Sequence, residues 1–118
     1  MIEMINVQKT YPNGVSAVKG LNVKIQSGEF VYVVGPSGAG KSTFIKMMYR
    51  EEKPTSGTIT INGRNIANIK DRKVPLLRRD IGVIFQDFKL LNNLTVFENI
   101  AFALEVTEER PQVIKTKV

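Results

Sequence analysis

Nine residues of this chain are typed and spaced for holding phosphate: Gly35-Pro36-Ser37-Gly38-Ala39-Gly40-Lys41-Ser42-Thr43. They match the pattern G-x-x-x-x-G-K-[ST] in full. Glycines in such a stretch let the backbone turn through positive φ and bring its N–H groups close to an anion. Those N–H groups, with the positive end of a following helix, form a nest for phosphate oxygens. Lys41 is placed to reach the β- and γ-phosphates as a point charge. The Ser42 hydroxyl is placed to ligate Mg²⁺, and Thr43 to hydrogen-bond the α-phosphate.

The flanks supply what the motif needs. Phe30-Val31-Tyr32-Val33-Val34 reads as a short buried strand leading in. After Lys41, apolar residues recur at helical spacing in Phe44, Ile45, Met47 and Met48, and the helix is expected to end near Arg50 and Glu51. Strand, glycine-rich turn and helix then follow one another, as a phosphate loop requires.

Other parts of the chain read more plainly. Residues 2–11 are partly alternating and suggest a first strand, and Pro12-Asn13-Gly14 is a strong turn signal. Residues 15–26 resume an extended pattern, so an antiparallel hairpin is expected. Lys53-Pro54-Thr55-Ser56-Gly57 breaks the helix, and Thr58-Ile59-Thr60-Ile61 alternates as a strand. Asn62-Gly63 is a two-residue hairpin turn with a return strand over Arg64, Asn65 and Ile66. Pro75-Leu76-Leu77-Arg78 suits a short helical turn, and residues 80–85 form a second buried-strand candidate. Thr95 with Glu98 fits a capping box that opens a helix through Ile100, Phe102, Ala103 and Leu104. Residues 113–118 look like the first turns of another helix.

Composition narrows the chemistry. The chain has 118 residues, 42% hydrophobic and 24% charged, which suits a globular domain or part of one. It holds no cysteine, so no disulfide or thiol nucleophile, and no histidine, so no imidazole base or metal ligand. The N-terminus lacks the pattern of a signal peptide, and no stretch approaches the ~20 apolar residues of a membrane span. The cytoplasm is the expected location. The formal net charge is +6, with a basic cluster at Arg64, Lys70, Arg72, Lys73, Arg78 and Arg79. That cluster reads as a nucleic-acid surface, a face near anionic lipid, or a solvated loop region. It lacks the interleaved aromatics of a single-strand binder, and nucleic acid is not expected as a partner.

Three features together go further: Tyr11 at the end of the first strand, the 35–43 motif, and Gln86 closing the second buried-strand candidate. With them the chain resembles the ATP-binding subunit of ABC transporters, over nearly all of its length. Within that family the stretches 49–57, 77–91 and 95–100 resemble the cell-division type. Similar stretches occur in subunits that extract lipoproteins or export small molecules. The resemblance implies that Tyr11 stacks on the adenine of ATP, that residues 35–43 hold its phosphates, and that Gln86 contacts Mg²⁺ and the attacking water. It also implies a membrane-protein partner docked on the loop after Gln86, a homodimer of the full-length subunit, and a position at the cytoplasmic face of the membrane. In that loop, Phe88 and Leu91 are either core residues or an exposed docking surface walled by residues 94–104.

The resemblance is to an N-terminal half. No Leu-Ser-Gly-Gly-Gln stretch, no Asp-Glu pair after an apolar run and no histidine is present. Residues 1–118 are therefore expected to be one incomplete α/β P-loop NTPase domain: an antiparallel β portion, plus the P-loop strand and helix, with the strand ending at Phe85 in a parallel core. Phosphoryl transfer needs a group that positions water as well as a phosphate cradle. This chain alone is thus expected to bind nucleotide without hydrolysing it.

Overall fold

A computed structural model describes residues 1–38 and 40–118. The chain divides into two units, Met1–Ile81 and Gly82–Val118. The first unit is built on a four-stranded antiparallel sheet in the order β2-β1-β3-β4, with β1 Ile2–Thr10, β2 Ser16–Ile25, β3 Ser56–Ile61 and β4 Arg64–Asn65. Helix α1, Lys41–Met48, packs on it, and a 3-10 turn at Asp71–Lys73 runs into α2, Val74–Arg79. The expected hairpins are both present, and Asn62 and Gly63 both take positive φ, the turn that matches strand twist.

The central strand β1 carries a bulge that its sequence pattern conceals. Met4 and Val7 are both fully buried, although three residues apart, and strict alternation would put them on opposite faces. The ladder to β2 pairs Met4 with Val23 and then Val7 with Leu21, with a register shift between. Asn6 takes up the extra residue at φ 49°, and its backbone N–H donates to Asn22 Oδ1 at 2.9 Å. The bulge keeps Met4 and Val7 on one face with Val18, Phe44, Met47, Ile59, Ile61, Ile66 and Leu77, which form the core. On the other side β1 meets β3, which begins at Ser56 and so takes in Gly57, read from the sequence as part of a breaker.

Helix α1 ends at Met48, two residues earlier than expected, and its C-terminal end is tied down. Arg78 Nε donates to Tyr49 O at 2.9 Å and its Nη2 to Arg50 O at 3.2 Å, satisfying carbonyls beyond the last turn. Arg78 is therefore a structural member of the basic cluster. The Tyr49 hydroxyl donates to Glu51 Oε2 at 2.5 Å. That hydrogen bond, with burial, pushes the phenol up to about 12 from its ordinary 10.0. The folded state then keeps a proton that the unfolded chain releases, so this contribution to stability is complete below pH 10 and lost as pH rises through about 12. Urea midpoints measured across that window should fall with pH, and Tyr49→Phe should flatten the decline. An equal decline in the variant would rule Tyr49 out as its source.

Two expected strands do not form. Residues 30–34 form no part of the sheet, and Phe30, Tyr32 and Val34 are 81%, 81% and 85% exposed. Residues 81–85 likewise form no part of the sheet, and Ile84 is 97% exposed. The expectation of buried strands at 30–34 and 80–85 is corrected on this point. A strand needs a hydrogen-bonded neighbour, and the sheet formed by the described residues offers these runs none. Phe30 and Tyr32 meet edge to face with ring centroids 5.0 Å apart. Val31 and Val33, with Val18, Leu21, Val23 and Phe44, line an open apolar groove of roughly 790 Å³ in the first unit.

The second unit holds α3, Val96–Val106, and α4, Pro111–Lys117. The capping box is made in both directions: Thr95 Oγ1 accepts from Glu98 N at 3.2 Å, and Glu98 Oε2 accepts from Thr95 N at 2.7 Å. The Thr95 N–H holds the Glu98 carboxyl below its ordinary range. Asn99 pins the preceding loop, accepting from Leu91 N at 2.8 Å and donating to the carbonyls of Leu91, Leu94 and Thr95. No helix among the described residues is long and apolar enough to cross a membrane.

Candidate nucleotide-binding site

The site is assembled where the N-terminus of α1 meets the sheet. Gly40 caps the helix in the left-handed conformation at φ 89°, and its carbonyl accepts the first helical bond, from Phe44 N at 2.9 Å. A Cβ on Gly40 would run into the Ala17 carbonyl of β2, so the loop lies against the sheet only because this residue has no side chain. Thr43, Phe44 and Met47 face inward and anchor the helix, while Ser42 is left exposed in its first turn. Among the described residues nothing hydrogen-bonds the Ser42 hydroxyl.

Lys41 folds back over the loop. Its ammonium donates to Gly35 O and to Pro36 O, the latter at 2.9 Å. The loop carbonyls thus hold the amine at the mouth of the nest, and an anion entering there would exchange with them for its charge. Lys41 thus links Gly35 and Pro36 to the start of α1, and Ala39 lies outside the described residues.

Tyr11 joins them from the sheet. It begins the turn after β1, where its N–H donates to Val15 O and its carbonyl accepts from Gly14 N, each at 2.9 Å. Its hydroxyl and Thr43 Oγ1 lie 2.9 Å apart. Lys9 Nζ stands 5.2 Å from the centre of the Tyr11 ring, while also donating to Lys53 O at 2.7 Å and pairing with Glu52 at 3.3 Å. Sequence reasoning found Tyr11 and Thr43 separately and missed both Lys9 and the link between the two hydroxyls. The signal for Lys9 was its place two residues before Tyr11, on the same face of an extended chain.

Gln86 belongs to the second unit, where it opens an exposed turn over residues 86–89. Phe88 and Lys89 both take left-handed backbone, at φ 61° and 49°. Asp87 pairs with Lys89 at 2.9 Å, and this contact holds the Asp87 carboxyl below its ordinary range. The turn lifts the Phe88 ring into solvent, 74% exposed, whereas Leu91 is 37% exposed beside its bonds to Asn99. Of the two readings of this loop, the exposed one describes Phe88. Asp80 caps the end of α2, its N–H donating to Leu77 O. Among the described residues no three carboxylates cluster as a metal cage.

Comparison with known proteins bears on this geometry. The family model described as ABC transporter matches residues 18–118. Over all 118 residues the chain is 68% identical to the cell division ATP-binding protein FtsE of Bacillus subtilis (strain 168), of which it covers 52%. It is 43% identical to the methionine import ATP-binding protein MetN of Helicobacter pylori (strain HPAG1), covering all of this chain and 36% of that one. Its backbone superposes on the dimeric structure of MJ0796, a bacterial ABC transporter cassette, with a TM-score of 0.88 at 36% identity, over 98% of this chain and 53% of that one. A post-hydrolysis structure of the same cassette bound to ADP and Pi gives the same TM-score. The chain spans about half the length of the FtsE relatives it matches. With Gly40 and Lys41 set at a helix N-terminus and the family model covering residues 18–118, this chain belongs to the ABC transporter family, in its ATP-binding part.

Proposed function

We propose that this chain is the ATP-binding part of a cell-division ATPase subunit that works with a membrane protein of the FtsX type. The observation that carries the reading is Gly40 capping the α1 N-terminus, with Lys41 folded over the loop carbonyls of Gly35 and Pro36, in a chain 68% identical to an FtsE. Identity falls to 43% for a methionine-import subunit, which favours the cell-division type over small-molecule transport. ATP would lie with its phosphates on the backbone N–H groups of the loop and Lys41, and its base against the Tyr11 ring. Ser42 suits Mg²⁺: its hydroxyl is exposed and uncommitted at the phosphate end, and Mg²⁺ commonly takes one or two protein oxygens and completes its shell with phosphates and water. Gln86 would add a carbonyl oxygen to that ion or to the attacking water. When bound, the ion would draw charge from the phosphates. With no histidine and no Asp-Glu pair, residues 1–118 by themselves would hold nucleotide without turning it over. The whole subunit would act as a homodimer, peripheral at the cytoplasmic face of the membrane.

The partner would dock on the turn after Gln86. A phenylalanine that is 74% exposed on left-handed backbone is held out at some conformational cost, and an apolar ring so presented suits a groove-and-helix contact. Phe88→Ala in the intact protein should cut co-purification of the membrane subunit several-fold and leave ATP affinity by calorimetry unchanged. Undiminished co-purification would remove the docking role, and no calorimetric ATP binding by the unsubstituted protein would overturn the functional reading.

A further inference from the structure

Tyr11 and Thr43 stand 32 residues apart in sequence, yet their hydroxyls are 2.9 Å apart. Thr43 is 7% exposed, so bulk water does little for its hydroxyl, and a buried hydroxyl is normally paired. The phenol is the more acidic of the two groups, which favours Tyr11 as donor and Thr43 Oγ1 as acceptor. Thr43 then keeps its own proton to donate onward. On its other side Tyr11 is fixed by the turn bonds to Val15 and Gly14 and by Lys9 over its ring, itself held by Glu52 and Lys53.

We propose that Tyr11 is a positioning residue for the phosphate end of the site: its hydroxyl orients the Thr43 hydroxyl to donate to a bound phosphate. The inference rests on the nucleotide-site reading above and adds to the ring's role toward the base. Hydrogen bonds in such a chain polarise one another, so losing the first weakens the second. A phosphate ligand with no base at all should therefore feel the tyrosine hydroxyl.

The probe is inorganic tripolyphosphate, titrated calorimetrically into the intact protein. Tyr11→Phe keeps the ring and removes only the oxygen. It should weaken tripolyphosphate binding about three- to tenfold, the range of one ordinary hydrogen bond. Thr43→Val should weaken it similarly, and adding Tyr11→Phe to Thr43→Val should weaken it no further. Thr43→Ser, which restores a hydroxyl, should restore the effect of Tyr11→Phe. A hydrogen bond that served only stability would lower the melting temperature of Tyr11→Phe and leave tripolyphosphate affinity as it was; that result overturns the proposal. So does a full Tyr11→Phe effect that persists in Thr43→Val. If the unsubstituted protein binds neither ATP nor tripolyphosphate, the nucleotide-site reading falls and the proposal with it; if it binds ATP and Tyr11→Phe binds tripolyphosphate as tightly as the parent, only the proposal falls.

Discussion

Replacing Lys41 with alanine is expected to weaken ATP binding to the intact protein at least about tenfold, since a charge-assisted hydrogen bond contributes roughly 1.5–3 kcal/mol. The loss has two sources. The variant has no ammonium to meet the β- and γ-phosphates. It also has no donor for Gly35 O and Pro36 O, which the lysine bridges, so the loop is less well ordered before ligand arrives. Lys46 provides the control. It lies in the last turn of the same helix, at the end away from the phosphate loop, and Lys46→Ala changes the net charge by the same amount. Its effect on affinity should stay within about twofold, because its ammonium sits in the last turn, makes no hydrogen bond to the described loop carbonyls, and acts only through solvent and salt. Calorimetry that finds equal affinity for Lys41→Ala and the parent protein would sink the phosphate-loop assignment. Equal losses for the two variants would reduce it to general electrostatic attraction.

The largest effect on stability is expected at Gly57. It sits in β3 at φ 93°, facing the bulge of β1. A Cβ there would lie 2.6 Å from Val7 Cα and 2.7 Å from Asn6 C, which are backbone atoms of the central strand and cannot turn aside. Gly57→Ala must therefore push β1 and β3 apart next to Val7, one of the fully buried core residues. Backbone strain and lost core packing together should destabilise the fold by about 3–5 kcal/mol, a large share of the total for a small domain. Gly63 separates the two causes. It also has positive φ, 79°, but nothing lies within 4 Å of its would-be Cβ. Gly63→Ala should lose only the left-handed backbone penalty, about 1–2 kcal/mol. Urea denaturation of both variants checks this. A Gly57→Ala midpoint no lower than that of Gly63→Ala would show that the strands relax around the added methyl and that the bulge is not tightly held.

The local elements were legible in the residues because their causes are local. The Asn62-Gly63 turn follows from two residues that tolerate positive φ. The capping box follows from a hydroxyl and a carboxylate three positions apart. The phosphate loop follows from glycines, a lysine and a hydroxyl in fixed order ahead of a helix. Each is decided within a few residues, so the types and their spacing suffice, and the relationship to ABC ATP-binding subunits could be read from the same stretches.

What only the tertiary structure decided depends on neighbours distant in sequence. Residues 30–34 have the composition of a strand, but composition supplies no hydrogen-bonding partner, and in this structure the run stays outside the sheet and exposed. The bulge at Asn6 arises because Met4 and Val7 must both reach a core shared with Phe44 and Ile59. Gly57 is then required by a strand some fifty residues earlier, which no turn rule within 53–57 reveals. The closing of Lys41 on its own loop, and the meeting of Tyr11 with Thr43, likewise depend on how β1 and α1 lie against each other. Sequence by itself determined which groups could do the chemistry. The folded sheet decided which of them touch, because hydrogen bonds act over about 3 Å and only packing brings residues 11 and 43 that close.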